Sequence, residues 1–212
     1  YLPPSLAFKP AFPILKDIDA DLRLSAGKVT LGDTAYGKGA ASLSLRNGVM
    51  LADIAEFEIG KGGTCSGQLS IDAAGVTPQY RLKGKLDAVD VAEALLSYPA
   101  IGGTGTPTVD LTASGVTRQS MLQSLSGKLG IRLPQFGQLG VDLNALAATT
   151  RAAAQTGWAG ASRGQTSINS LAADFNVFDG RMNVGKATAR TGDATLTAVG
   201  SIDLQSGLSD MR

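Results

Sequence analysis

"AASLSLRNGVMLADI" (residues 40–54) is the stretch that decides how this chain folds. Ala41, Leu43 and Leu45 fall on one side of an extended segment, with Ser42, Ser44 and Arg46 on the other, because successive strand side chains point to opposite faces. Asn47-Gly48 follows, the dipeptide best suited to a two-residue hairpin turn whose central residues both need positive φ. "VMLADI" is then the return strand. The unit reads as an antiparallel hairpin with one apolar and one polar side.

The same pattern extends in both directions. "DIDADLRLS" (17–25) places Ile18, Ala20, Leu22 and Leu24 opposite Asp17, Asp19, Asp21 and Arg23. "AEFEIG" sets Phe57 and Ile59 against Glu56 and Glu58, "GQLSIDA" pairs Leu69 with Ile71, and "QYRLKGKL" pairs Tyr80 with Leu82. Further on come Val109, Leu111 and Ala113, then Leu129, Ile131 and Leu133, then Leu171 to Val177 and a second turn signal at Asp179-Gly180. "RMNVGKATA" and "ATLTAVGSIDLQS" continue as strands. Strands with one apolar and one wetted face belong to antiparallel sheets rather than buried parallel ones. The fold class expected is mainly β with inserted helices: a curved, mostly antiparallel meandering sheet.

Two segments break the alternation. In "VDVAEALLSYP" (89–99), Asp90 is placed to cap a helix with Glu93 three residues on, Val91 and Leu95 stack beside Ala92 and Leu96, and Pro99 stops it. In "VDLNALAATTRAAA" (141–154), Asp142 is the cap, Leu143 and Leu146 lie on one side, and Gly157 ends the run. A shorter helical turn is expected at 118–125. Both longer segments follow a Gly-Lys-Leu strand, at 84–86 and 127–129, which makes a weak quasi-repeat. The two amphipathic helices are expected to cover or line an apolar concave face of the sheet.

Composition excludes several chemistries. The chain has no histidine among its 212 residues, which removes histidine triads, His-ligated metals and imidazole acid–base schemes. One cysteine, Cys65, allows neither an intrachain disulfide nor a cysteine zinc site. Nineteen basic against 18 acidic residues, without blocks, argues against nucleic acid as a partner. "DIDAD" (17–21) imitates the start of a calcium loop, but Leu22 and Lys28 stand where that loop needs Gly and Glu, so the aspartates read as a solvated strand face. "GKGGTCSG" (60–67) and "GGTGT" (102–106) lack phosphate-loop spacing and read as turns or strand edges. Trp158 reads as a packing residue. No catalytic residue, metal ligand or cofactor is expected.

Taken in order, these segments resemble the C-terminal region of the AsmA-like family of bacterial envelope proteins. The resemblance is carried by "DIDADLRLSAGKVTLG", "ASLSLRNGVMLADIAEFEIGKGGTCSGQLSIDA" and "YRLKGKLDAVDVAEALL", then "GTGTPTVDLTASG", "SLSGKLGIRLPQFGQLGVDLNAL", "AADFNVFDGRMN" and "GSIDLQSGLSD". It implies a periplasmic location, an N-terminal inner-membrane anchor outside this sequence, and a role in outer-membrane lipid homeostasis akin to that of bridge-like lipid-transfer proteins. It offers no catalytic motif. On this expectation residues 1–16 are a linker or cut end, and 17–212 are a β-groove domain from a larger protein. Its partner is a phospholipid or other acyl lipid, lying against Val91, Leu95, Leu96, Val109, Leu111, Leu129, Ile131, Leu133, Leu143 and Leu146. The competing expectation is a structural or assembly module that binds envelope proteins through sheet edges and helices. A surface β-helix, which predicts regular coils and no capped helices, ranks last.

Overall fold

The computed structural model describes residues 12–31, 34–59, 62–94, 101–143, 145, 164–192 and 194–211. Helix α1 (Phe12–Asp17) leads into β1 (Ala20–Ala26), a short hairpin of β2 (Val29–Leu31) and β3 (Thr34–Tyr36), and then β4 (Gly39–Arg46) and β5 (Val49–Ile59). Next come β6 (Gly63–Asp72), β7 (Gln79–Asp87), β8 (Val89–Asp90), α2 (Val91–Ala94) and the long β9 (Ile101–Ser114). Helix α3 (Arg118–Gln123), β10 (Ser126–Leu133), β11 (Gly137–Leu139) and β12 (Thr166–Ile168) precede β13 (Ser170–Phe178), β14 (Arg181–Arg190), β15 (Thr195–Asp203) and β16 (Ser209–Met211).

Fourteen of these strands form one curved sheet, in the order β1-β4-β5-β6-β7-β9-β10-β13-β14-β15-β16, with β8 and β11 attached at β9 and β12 paired with β11. Every described pairing is antiparallel. The two predicted turns are as their sequences require: Asn47 and Gly48 have φ of 51° and 80°, Asp179 and Gly180 have 48° and 75°.

Register carries the alternation across the whole sheet. One transverse row reads Leu22, Leu43, Ala52, Leu69, Leu82, Leu111, Gly127, Val177, Met182, Ile202, a single neighbour to neighbour path. The polar row beside it reads Arg23, Ser42, Asp53, Gln68, Lys83, Asp110, Lys128, Asn176, Asn183, Ser201. A slip of one residue anywhere would exchange the two faces, so the hydrophobic pattern specifies the pairing. Register shifts between Ile54 and Phe57 and between Val184 and Ala187 add a residue on the polar side, which keeps Phe57 and Ala187 on the apolar side. Such bulges also increase local twist.

The core sits at one end of the apolar face. There Val91 of α2 packs with Ile131, Leu133, Ile168, Leu171 and Ala189, bordered by Ile101, Leu139, Phe175 and Leu196. Gly105 makes the close approach possible, since a Cβ there would lie 2.6 Å from the Arg132 carbonyl oxygen and 2.9 Å from Val91 Cγ2.

One expectation needs correction. Gly102–Thr106 and Gly63–Gly67 are strand interior, not turns: the first pairs with β8 and β11, the second with β5 and β7. Within residues 1–16, expected to be a linker or cut end, 12–16 belong to helix α1. At the C-terminal end the Asp203 carboxylate accepts the backbone N–H groups of Gln205 and Ser206 before β16 pairs with β15.

Of the two longer predicted helices the described residues cover only the starts, and 95–99 of the first lie outside them. Asp90 caps α2 by accepting the Ala92 N–H at 2.9 Å, and the helix is described only to Ala94. Asp142 accepts the Ala145 N–H at 2.9 Å, so the second helix starts where predicted; 146–163, Leu146 and Trp158 included, lie outside the described residues. Helix α3 has a capping box in which Thr117 and Ser120 serve each other's N–H groups.

Candidate functional site

Between this packed end and the far end, where Leu45 and Ile71 are buried, part of the apolar face is open. Residues of β5, β6, β7, β9, β10, β13 and β14 line a trough of ≈ 550 Å³, within the range of small-molecule and lipid sites. Ile54, Leu69, Leu82, Leu86, Val109, Leu129, Phe175 and Met182 supply its wall, with Cys65 and Pro107 among them. Seven strands at about 4.8 Å spacing make it roughly 29 Å across, close to the thickness of a bilayer's hydrocarbon region, about 30 Å.

Glycine sets the depth of this trough. Gly67 and Gly84 are direct cross-strand partners on the apolar side, between Ile54 and Val109 in the row. Where neighbouring rows carry leucines, this pair presents bare backbone. The strands also approach closely here: a Cβ on Gly67 would lie 2.5 Å from the Lys83 carbonyl oxygen and 2.9 Å from Gly84 Cα.

Charge is confined to the other side of the sheet. Arg81 bonds Asp110 at 3.3 Å, Lys85 bonds Asp87 at 3.2 Å and Arg132 bonds Asp174 at 2.5 Å, all exposed pairs worth little individually. The Thr106 hydroxyl and the Lys85 ammonium hold the Asp87 carboxyl below its ordinary range. In the trough, burial pushes the Cys65 thiol up, away from the reactive thiolate. Among the described residues no buried polar or charged side chain appears in the core, and no cluster of three metal-binding side chains occurs.

The predicted site residues separate into three groups. Val109, Leu129 and Ile131 line the trough, and Leu111 lies one row away on the same face, directly opposite Leu82. Val91 and Leu133 are closed inside the core at 0% and 1% exposure. Leu143 is half-buried beside β12, its N–H donating to Thr166 Oγ1, while Leu95, Leu96 and Leu146 lie outside the described residues. Sequence reasoning missed Leu69, Leu82, Leu86, Phe175, Met182 and Cys65 as site residues. Their signal was the glycine pair: two glycines of the same strand parity, in adjacent strands, mark where a sheet face is hollow.

The AsmA family model matches residues 9–187. The chain belongs to the AsmA family. The match covers α1 through most of β14 and stops before the "GSIDLQSGLSD" segment that also carried the resemblance. No curated protein and no solved structure matches the chain. AsmA proteins are envelope-associated, and membership points to a lipid-transport-related role. No described helix is long and apolar enough to cross a membrane.

Proposed function

We propose that this AsmA-family chain is a non-enzymatic lipid-binding module of the periplasm that supports outer-membrane lipid homeostasis, held at the inner membrane by an anchor elsewhere in its protein. The apolar face is the concave one, and acyl chains of a phospholipid lie across it in the trough. The observation that carries this reading is the trough itself: a wall of apolar side chains with a glycine floor, on a sheet whose charges all lie on the opposite side. Each CH₂ removed from water contributes about 0.8 kcal/mol, so a chain lying there is held firmly yet released on transfer. Headgroups remain in water at the trough's rim. Neither nucleic acid nor a cofactor enters the account.

Cys65 offers a direct test, since it is the sole thiol and lines the trough. Maleimide labelling is measured on delipidated protein before and after equilibration with phospholipid vesicles. The rate falls several-fold on loading and recovers when lipid is extracted. An unchanged rate, with lipid binding demonstrated separately, would place the lipid elsewhere on the chain.

A further inference from the structure

The polar face carries a bowl of ≈ 510 Å³ over β10, β13 and β14. Ala172 lies at its centre, with Arg132 directly across on β10 and Thr188 directly across on β14. Lys186 and Arg190 stand at the diagonals, opposite Asp174 and Ser170. Diagonal neighbours in a sheet are about 7–8 Å apart, within reach of long side chains. The grouping depends on the bulge in β14. In an unbroken strand Val184, Lys186, Thr188 and Arg190 would share one side, and the register shift after Val184 moves the last three to the polar one.

Three cations thus surround the bowl against one carboxylate. Arg132 is fixed by that carboxylate: its guanidinium bonds Asp174 at 2.5 Å and the Ile131 and Ala173 carbonyls at 3.0 and 2.8 Å. The Lys186 and Arg190 side chains make no ion pair or hydrogen bond among the described residues. Between them Thr188 Oγ1 is closed off from water and has no hydrogen-bond partner, alone among the buried side-chain polar atoms of the described residues. A hydroxyl left so costs stability, and packing gives no return for it. We propose that the bowl binds a phosphate monoester, whose dianion matches the two uncompensated cations. Lys186 and Arg190 turn onto its oxygens, which admits one of them to the Thr188 hydroxyl as an acceptor, and the guanidinium of Arg190 suits a two-pronged contact. A sheet separates this bowl from the trough, so the phosphate is not that of a lipid lying there and the inference does not rest on the lipid reading. A soluble phosphoester or the headgroup of an anionic lipid in a membrane surface can carry the group.

Inorganic phosphate titrated into the full chain at constant ionic strength tests this, with the amide resonances of 170–174 and 186–190 as the readout. Saturable shifts are expected there, competed by sulfate and not by chloride. Lys186→Gln and Arg190→Gln each weaken binding about tenfold, the loss of one charge-assisted contact. Lys83→Gln, which removes a lysine from the same face on β7, leaves it unchanged. Thr188→Val keeps the side chain's shape and also weakens phosphate binding, yet it raises the melting temperature of the phosphate-free chain because an unsatisfied hydroxyl is gone. Co-sedimentation with vesicles of phosphatidylcholine alone and of equimolar phosphatidylcholine and phosphatidic acid separates the two sources. A preference for the second, lost in Lys186→Gln, assigns a lipid headgroup; equal sedimentation, with inorganic phosphate still bound, assigns a soluble phosphoester. Absence of saturable phosphate shifts overturns the proposal. So does a loss as large in Lys83→Gln as in Lys186→Gln, or a Thr188→Val chain that binds phosphate as tightly as the original.

Discussion

Leu133→Ala lowers the free energy of unfolding by about 3–5 kcal/mol, the upper part of the range for buried leucine truncations. Leu133 is 1% exposed and sits where β10, α2 and the β11–β12 strand pair meet. Its neighbours explain why the loss is at the high end. Cβ positions built on Gly103 and Gly105 lie 3.1 and 3.2 Å from its two methyl groups, so the wall around it is largely glycine backbone. Backbone held in strand pairing cannot move inward to fill the space, and the cavity stays open. With domain stabilities near 5–15 kcal/mol, this one change removes a large share of the total. Urea denaturation reads the shift in midpoint. Leu24→Ala is the comparison: that side chain is 58% exposed, and its removal shifts stability by no more than about 0.5 kcal/mol.

Leu82→Glu weakens phospholipid binding about 30-fold and leaves the fold intact. Leu82 stands in the trough wall between Leu69 and Leu111 and is 44% exposed, so a glutamate there remains hydrated and costs little on folding. An acyl chain laid over it must either strip water from a carboxylate or avoid the site. Losing the leucine contact alone removes about 2 kcal/mol, which is about 30-fold in affinity. Lys83→Glu changes charge by more, one residue away, on the opposite face. It leaves binding within about twofold, because a sheet separates it from the chain. Displacement of a fluorescent fatty-acyl probe measures both variants, and equal losses for the two would refute a face-specific site.

Much of the architecture was legible because it is local. Asn47-Gly48 and Asp179-Gly180 can scarcely form anything but tight turns, and the alternation of Leu43, Leu69, Leu82 and Leu129 shows which side of each strand is apolar. Sequential hairpins then make neighbours of consecutive strands, and the sheet order follows. The glycine stretches were harder to read. Gly102 and Gly103 look like a turn in isolation, yet they lie inside β9 because β11 pairs with them, through Gln138 and Gly137 far along the chain. The division of the apolar face into a packed end and an open one was also hidden. Val91, Leu133 and Val109 have the same strand-or-helix pattern, and only the placement of α2 and the β11–β12 strand pair decides that the first two are sealed while the third lines a trough. Bulges at Ala55-Glu56 and Gly185-Lys186 leave no sequence mark beyond a break in period, which a strict alternation reading passes over.

Whether the apolar face holds lipid is tested most directly by site-specific photocross-linking in cells of the full-length protein. A photoreactive residue replaces Leu82 or Leu129 on the apolar face, or Lys83 or Lys128 on the polar face, each adjacent in sequence to one of the first pair. Mass spectrometry then identifies covalently attached phospholipid. The account predicts lipid adducts at Leu82 and Leu129 and none at Lys83 or Lys128. Adducts at all four positions alike, or at none while the protein remains folded, would contradict it.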